Sequence, residues 1–241
     1  MKIITKRPSN LDIAENLFYT LQVGRYIEYE KQVNEVLNKC TTRQEILDTI
    51  IRLCEVPTTP KGRYILAMAH SWSNTEHRLD AIKYISDYLN NELYSANYEG
   101  VFSGFHYKGC NFEIGTIKRT KLEKDIHISA MYLEISKKYE EQYMFNEAKS
   151  ALEQSLILTP FHAHIYVRLS RVLEKRNELD NAMEVLEKAK FSQYYEPYDY
   201  EIMNEKFIDG SFKMVIDNSI AMLQGKIDKG YVYKPRQRKK M

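Results

Sequence analysis

The chain has 241 residues, 44% hydrophobic and 28% charged, with 35 Lys and Arg against 33 Asp and Glu and a formal net charge of +2. This apolar share supports a packed core and excludes wholesale disorder. The near-balance of charge gives no global argument for nucleic acid or for acidic substrates.

Apolar spacing predicts a helical hairpin over residues 10–39, with Leu11, Ala14, Leu17, Phe18 and Leu21 on one stripe and Val33, Val36 and Leu37 on the next. Gly24-Arg25-Tyr26 turns the chain between them. Thr42 with Glu45 has capping-box spacing and opens a helix through Ile46, Leu47, Ile50, Ile51 and Leu53. Pro57-Thr58-Thr59-Pro60 is expected to end it, because neither proline donates a helix hydrogen bond. From Gly62 a second hairpin is expected, carrying Ile65, Met68-Ala69, Trp72, Ala81 and Ile85 at its apolar positions, with Trp72 in the core.

Residues 98–117 break the helical period. Gly100, Gly104, Gly109 and Gly115 alternate with Tyr98, Phe102, Phe105, Tyr107 and Phe112. A long aromatic loop of this kind reads as a small hairpin or an ordered flap packed on the helices. Helical spacing resumes near Lys118 and runs to about residue 197. Here the chain repeats itself at a period of 34 residues: Tyr132 recurs as Tyr166, Ile135 as Leu169, Ser136 as Ser170, Ala148 as Ala182 and Leu152 as Leu186. A fixed period of this length marks stacked helix pairs that bury each other's apolar faces. Residues 198–225 supply terminal helices, divided at Gly210, and a basic tail fills 226–241.

The repeat resembles the tetratricopeptide family. One copy carries Tyr132, Ile135-Ser136, Tyr139, Ala148, Leu152 and Pro160; the next carries Tyr166, Leu169-Ser170, Leu173, Ala182, Leu186 and a displaced Pro197. Gly24-Arg25-Tyr26-Ile27-Glu28 looks like the turn of a degenerate upstream copy. The resemblance implies an all-α, right-handed solenoid of antiparallel helix pairs, interrupted by the Gly- and aromatic-rich insertion. It divides the chain into degenerate hairpins over 1–97, the insertion at 98–117, two repeats over 118–197, capping helices at 198–225 and the tail. The resemblance also implies a concave groove, lined by the first helix of each pair, that holds a protein or peptide. By register, Arg63, His70 and Asn74 of the upstream hairpin and Lys137, His164 and Arg171 of the repeats face it. Lys137 and Arg171 share one repeat position and suit an acidic partner group. The family's clamp for a carboxylate also uses Asn at adjacent positions, which this chain lacks.

Catalytic signatures are missing from the sequence: there is no Gly-x-Ser-x-Gly elbow, no phosphate-cradling Gly-Lys-Ser loop and no His-Glu-x-x-His helix. His106 and Cys110 are four apart but have no second pair, and His162 and His164 do not share a helix face, so neither reads as a metal site. No cofactor is implied. Lys234, Arg236, Arg238, Lys239 and Lys240 crowd the end of the chain and suit nucleic acid through counterion release. The leading expectation is therefore a non-catalytic adaptor or scaffold; a nucleic-acid-associated regulator using the tail is the alternative, and a hidden enzymatic site the third. Cys40, Cys54 and Cys110, odd in number and far apart, fit reduced thiols. With no apolar run suited to a signal peptide or a membrane span, the chain is expected to be cytoplasmic.

Overall fold

A computed structural model describes residues 8–23, 30–54, 59–74, 76–92, 116–192, 194–195 and 211–235. Among them the secondary structure is helical throughout, with ten α-helices, one 3₁₀ turn and no strand. No described helix is long and apolar enough to cross a membrane. The chain forms two compact units, residues 1–101 and 102–241.

The first unit contains α1 (Asn10–Val23), α2 (Glu30–Leu37), α3 (Arg43–Leu53), α4 (Pro60–Trp72), a 3₁₀ turn (Glu76–Asp80) and α5 (Ala81–Glu92). The capping box is formed: the Thr42 hydroxyl accepts from the Glu45 N–H, and the Glu45 carboxylate accepts from the Thr42 N–H. Pro60 departs from the sequence reading. It does not end α3; that helix stops at Leu53, and Pro60 is the first residue of α4, capped by Thr59, whose hydroxyl accepts from the Gly62 N–H. Proline suits this position because its missing N–H has no acceptor there and its φ is already helical. Burial of Leu17, Phe18, Leu47, Ile50, Ile65, Ala69, Ala81 and Ile85 builds the core. Trp72 is half-buried and stacks flat on Phe18, with ring centroids 4.9 Å apart. The turn expected at 24–26 lies outside the described residues.

The second unit is two helical hairpins and a terminal helix. α6 (Thr116–Glu141) pairs with α7 (Phe145–Leu158), α8 (Ala163–Lys175) pairs with α9 (Leu179–Lys190), and α10 (Ser211–Ile227) packs on α8 and α9. The 34-residue spacing is visible in burial: Ile135 and Leu169, Ser136 and Ser170, Ala148 and Ala182, and Leu152 and Leu186 are all buried. Ala148 and Ala182 are fully buried, where a small side chain lets the second helix of each pair approach the first. The turns repeat too. Tyr143 (φ 62) and Asn177 (φ 61) both take the left-handed conformation, 34 positions apart. The N–H of Met144 bonds the Tyr139 carbonyl and that of Glu178 bonds the Leu173 carbonyl, each closing a Schellman turn. α10 ends in the same way, with Gly230 at φ 62 and the Tyr231 N–H on the Lys226 carbonyl. α10 therefore closes like α6 and α8, the leading helices of the two pairs. The insertion expected at 98–117 falls on undescribed residues up to 115, α6 already begins at Thr116, and the division expected at Gly210 is likewise outside the described residues.

Candidate functional site: the leading-helix face and turn end of the second unit

Charge on α6 and α8 follows helical spacing. Glu134, Lys137 and Glu141 on α6 and Arg168, Arg171 and Lys175 on α8 recur at steps of three and four, so each set forms one stripe. Glu140 joins the two helices. Its carboxylate is 8% exposed, with Oε2 2.5 Å from Lys175 Nζ and Oε1 2.6 Å from Arg168 Nη2. The second contact is a close charge pair without hydrogen-bond alignment, and Arg168 Nε has no acceptor among the described residues. Glu174, 34 positions on, does the same toward the next helix, taking Lys226 of α10. One carboxylate position thus links each leading helix to its successor. Pairing offsets the cost of burying these charges.

The predicted groove residues divide by environment. Lys137 is part-exposed, and its ammonium lies 2.8 Å from Glu134 on its own helix. Arg171 is exposed and makes no ion pair with any described residue. His164 is exposed, with its ring 6.4 Å from that of His162. His162 precedes α8, and burial followed by the nearby His164 lowers its pKa to about 4. Glu140 and Glu174 are held by cations of the following helix rather than by Lys137 and Arg171.

In the first unit His70 is inside the fold, 2% exposed. Its Nδ1 lies 2.8 Å from the His77 carbonyl and its ring stacks on Tyr84 at 4.1 Å. Burial lowers its pKa, which keeps the ring neutral, and no open surface presents it to a ligand. Asn74 is exposed, its N–H donating to Gln44 Oε1 at 2.7 Å, and Arg63 is half-buried. The groove as read from sequence draws on both units, and each set stands here on its own unit.

Sequence reasoning passed over three features. Arg168 and Lys226 anchor the inter-helix pairs; the i, i+3, i+7 run of Arg168, Arg171 and Lys175 was the available signal for the first. Asn177 and Tyr143 were not marked as left-handed turn residues, although Asn favours that conformation. The third is the segment after α10, which returns across the turns. The Tyr233 N–H donates to Asn177 Oδ1 at 2.7 Å, and the Tyr233 ring meets Phe145 edge-on at 6.1 Å. Of the basic tail, Lys234 is exposed, while Arg236, Arg238, Lys239 and Lys240 lie outside the described residues, as do His106 and Cys110. Among the described residues no three His, Cys, Asp or Glu side chains gather in a way that would hold a metal. Compared with known proteins, the chain matches no family model and no curated protein.

Proposed function

We propose that the chain is a non-catalytic binding module of the tetratricopeptide type, and that the leading-helix face of α6 and α8 holds an extended segment of another protein. The observation that carries this reading is the 34-residue repeat, which runs through sequence, burial and turn hydrogen bonding together. A right-handed solenoid is the arrangement such a repeat favours, because neighbouring pairs bury each other's apolar stripes. The face is charged and open at Arg171 and Lys137, so an acidic group in the partner suits it.

The test is selection of peptides from a random display library against the full chain, followed by titration of the winners. Lys137→Ala with Arg171→Ala should weaken an acidic winner by about 1.5 kcal/mol or more, roughly tenfold, with helix content unchanged. Lys188→Ala with Lys190→Ala on α9 should leave binding as it was. Winners indifferent to the first pair would overturn the groove assignment. Salt-sensitive oligonucleotide binding that depends on the last eight residues, with no peptide selected, would favour the nucleic-acid alternative.

A further inference from the structure

α6, α8 and α10 each end in a left-handed residue, and the segment Tyr231–Pro235 runs over two of these ends. Beneath it is a small shelf made of Tyr143 and Phe145, whose rings meet at 6.1 Å, together with the side chain of Asn177. Phe145 carries Tyr233 on its edge and Lys175 5.9 Å from its centroid. Asn177 Oδ1 accepts the Tyr233 backbone N–H, a contact that reads extended backbone whatever the side chain. The segment is held lightly: Val232 is 59% exposed, Tyr231 38%, and Lys234 is exposed. The carbonyl ends of three helices favour positive charge nearby, and the segment leads directly into Lys234.

We propose that this shelf is a docking site for an extended peptide segment bearing an aromatic residue followed by a cation, and that the chain's own Tyr231–Pro235 occupies it at rest. The occupant already in place defines the ligand chemistry: a backbone N–H for Asn177 and a ring against that of Phe145, with the exposed cation Lys234 next in sequence. Tethering gives the resident segment a high effective concentration, so a partner binds well only after displacing it. The site is distinct from the α6 and α8 face and does not rest on the groove reading.

The test uses the full chain and a dye-labelled peptide of residues 229–235, Lys-Gly-Tyr-Val-Tyr-Lys-Pro, read by fluorescence anisotropy. With the resident segment bound more than about nine-tenths of the time, the wild-type chain takes the peptide at least tenfold more weakly than a variant whose segment is released. Tyr233→Ala should therefore bind it about tenfold or more tighter. A second change, Asn177→Gly, should abolish that gain; glycine keeps the left-handed turn and removes only the acceptor. A peptide with Ala for its second Tyr should bind neither protein. Equal binding by wild type and Tyr233→Ala, or a gain that survives Asn177→Gly, would overturn the proposal. Should circular dichroism show that Asn177→Gly perturbs the helices, Phe145→Leu replaces it with the same two outcomes.

Discussion

The two hairpins of the second unit share a register but are closed differently at their far ends. In the α6–α7 pair three buried hydroxyls meet: Ser155 Oγ lies 2.7 Å from Ser129 Oγ and donates to the Ser129 carbonyl at 2.9 Å, and Thr159 Oγ1 is 2.5 Å from Ser129 Oγ. In the α8–α9 pair the counterparts of Ser129 and Ser155, 34 residues later, are Ala163 and Ala189, buried and apolar; the counterpart of Thr159 is Gln193, outside the described residues. The turn ends, by contrast, are copies of one another down to individual hydrogen bonds. The repeat is thus defined by its turn and by the alanine at the close approach. What fills the other end is free to vary if every buried polar group finds a partner.

The largest effect on this comparison should come from acid. Burial lowers His127 of α6 to about 3 and, with His164, lowers His162 at the start of α8 to about 4. Both folded values lie below the unfolded 6.5, so the unfolded chain binds protons that the folded chain refuses. Stability is therefore fully present above pH 6.5 and falls as pH drops toward 4, by about 1.4 kcal/mol per pH unit for each histidine. Denaturant titrations at pH 7, 6, 5 and 4 measure the slope. His162→Asn should flatten it above pH 4, whereas His127→Asn should flatten it further into the acid range; slopes identical to wild type would remove these groups from the account.

Next in size are the alanines that set the register. Ala148→Leu and Ala182→Leu each add volume where helices touch, and each should cost about 1–3 kcal/mol, read as a lower thermal midpoint. Equal losses would tie the two hairpins together. A loss at only one would show that the other can spread its helices.

These alanines were legible in the sequence because the helix pairs are local. Their apolar stripes, the small residue and the 34-residue step all lie within one stretch of chain. The same holds for the capping box at Thr42 and for the stripe of α1. Pro60 was misread because a proline both stops one helix and starts another, and only Thr59 as cap decides between them. His70 was placed on a surface by register alone; its burial depends on Tyr84 and the His77 carbonyl, which the short 3₁₀ turn brings over it. The cations that serve Glu140 and Glu174 come from the following helix, up to 52 residues on; the spacing of Arg168, Arg171 and Lys175 marks a stripe but not the carboxylate it meets. The return of Tyr233 to Asn177 spans 56 residues and was equally invisible.

The hydroxyl cluster should show whether the first hairpin depends on its polar closure. Ser155→Ala alone removes the donor to the Ser129 carbonyl and one partner of the buried Ser129 hydroxyl, and should cost about 1–2 kcal/mol. Ser129→Ala and Ser155→Ala install the alanines found at Ala163 and Ala189, and Thr159→Val removes the third hydroxyl. The triple variant should recover most of the single loss, since removing all partners leaves no orphan. A triple variant no better than the single one would mean that the hydroxyls fix geometry which alanine cannot.

The smallest effect lies in the turns themselves. Tyr143 and Asn177 hold the same left-handed φ, yet Asn tolerates it through its short polar side chain and Tyr does not. Tyr143→Gly should then gain up to about 1 kcal/mol from relieved strain. Part of that gain is offset by the lost ring contact with Phe145 and by the greater freedom of glycine in the unfolded chain. Asn177→Gly should cost about 0.5–1 kcal/mol, because its strain is already low and the change removes the hydrogen bond that holds the segment after α10. Thermal melts of the two variants, compared pairwise with wild type, order the effects. A loss at Tyr143 larger than that at Asn177 would mean that its ring, packed toward Phe145, matters more to the first turn than its backbone strain. The two hairpins would then match in hydrogen bonds while differing in what stabilises them.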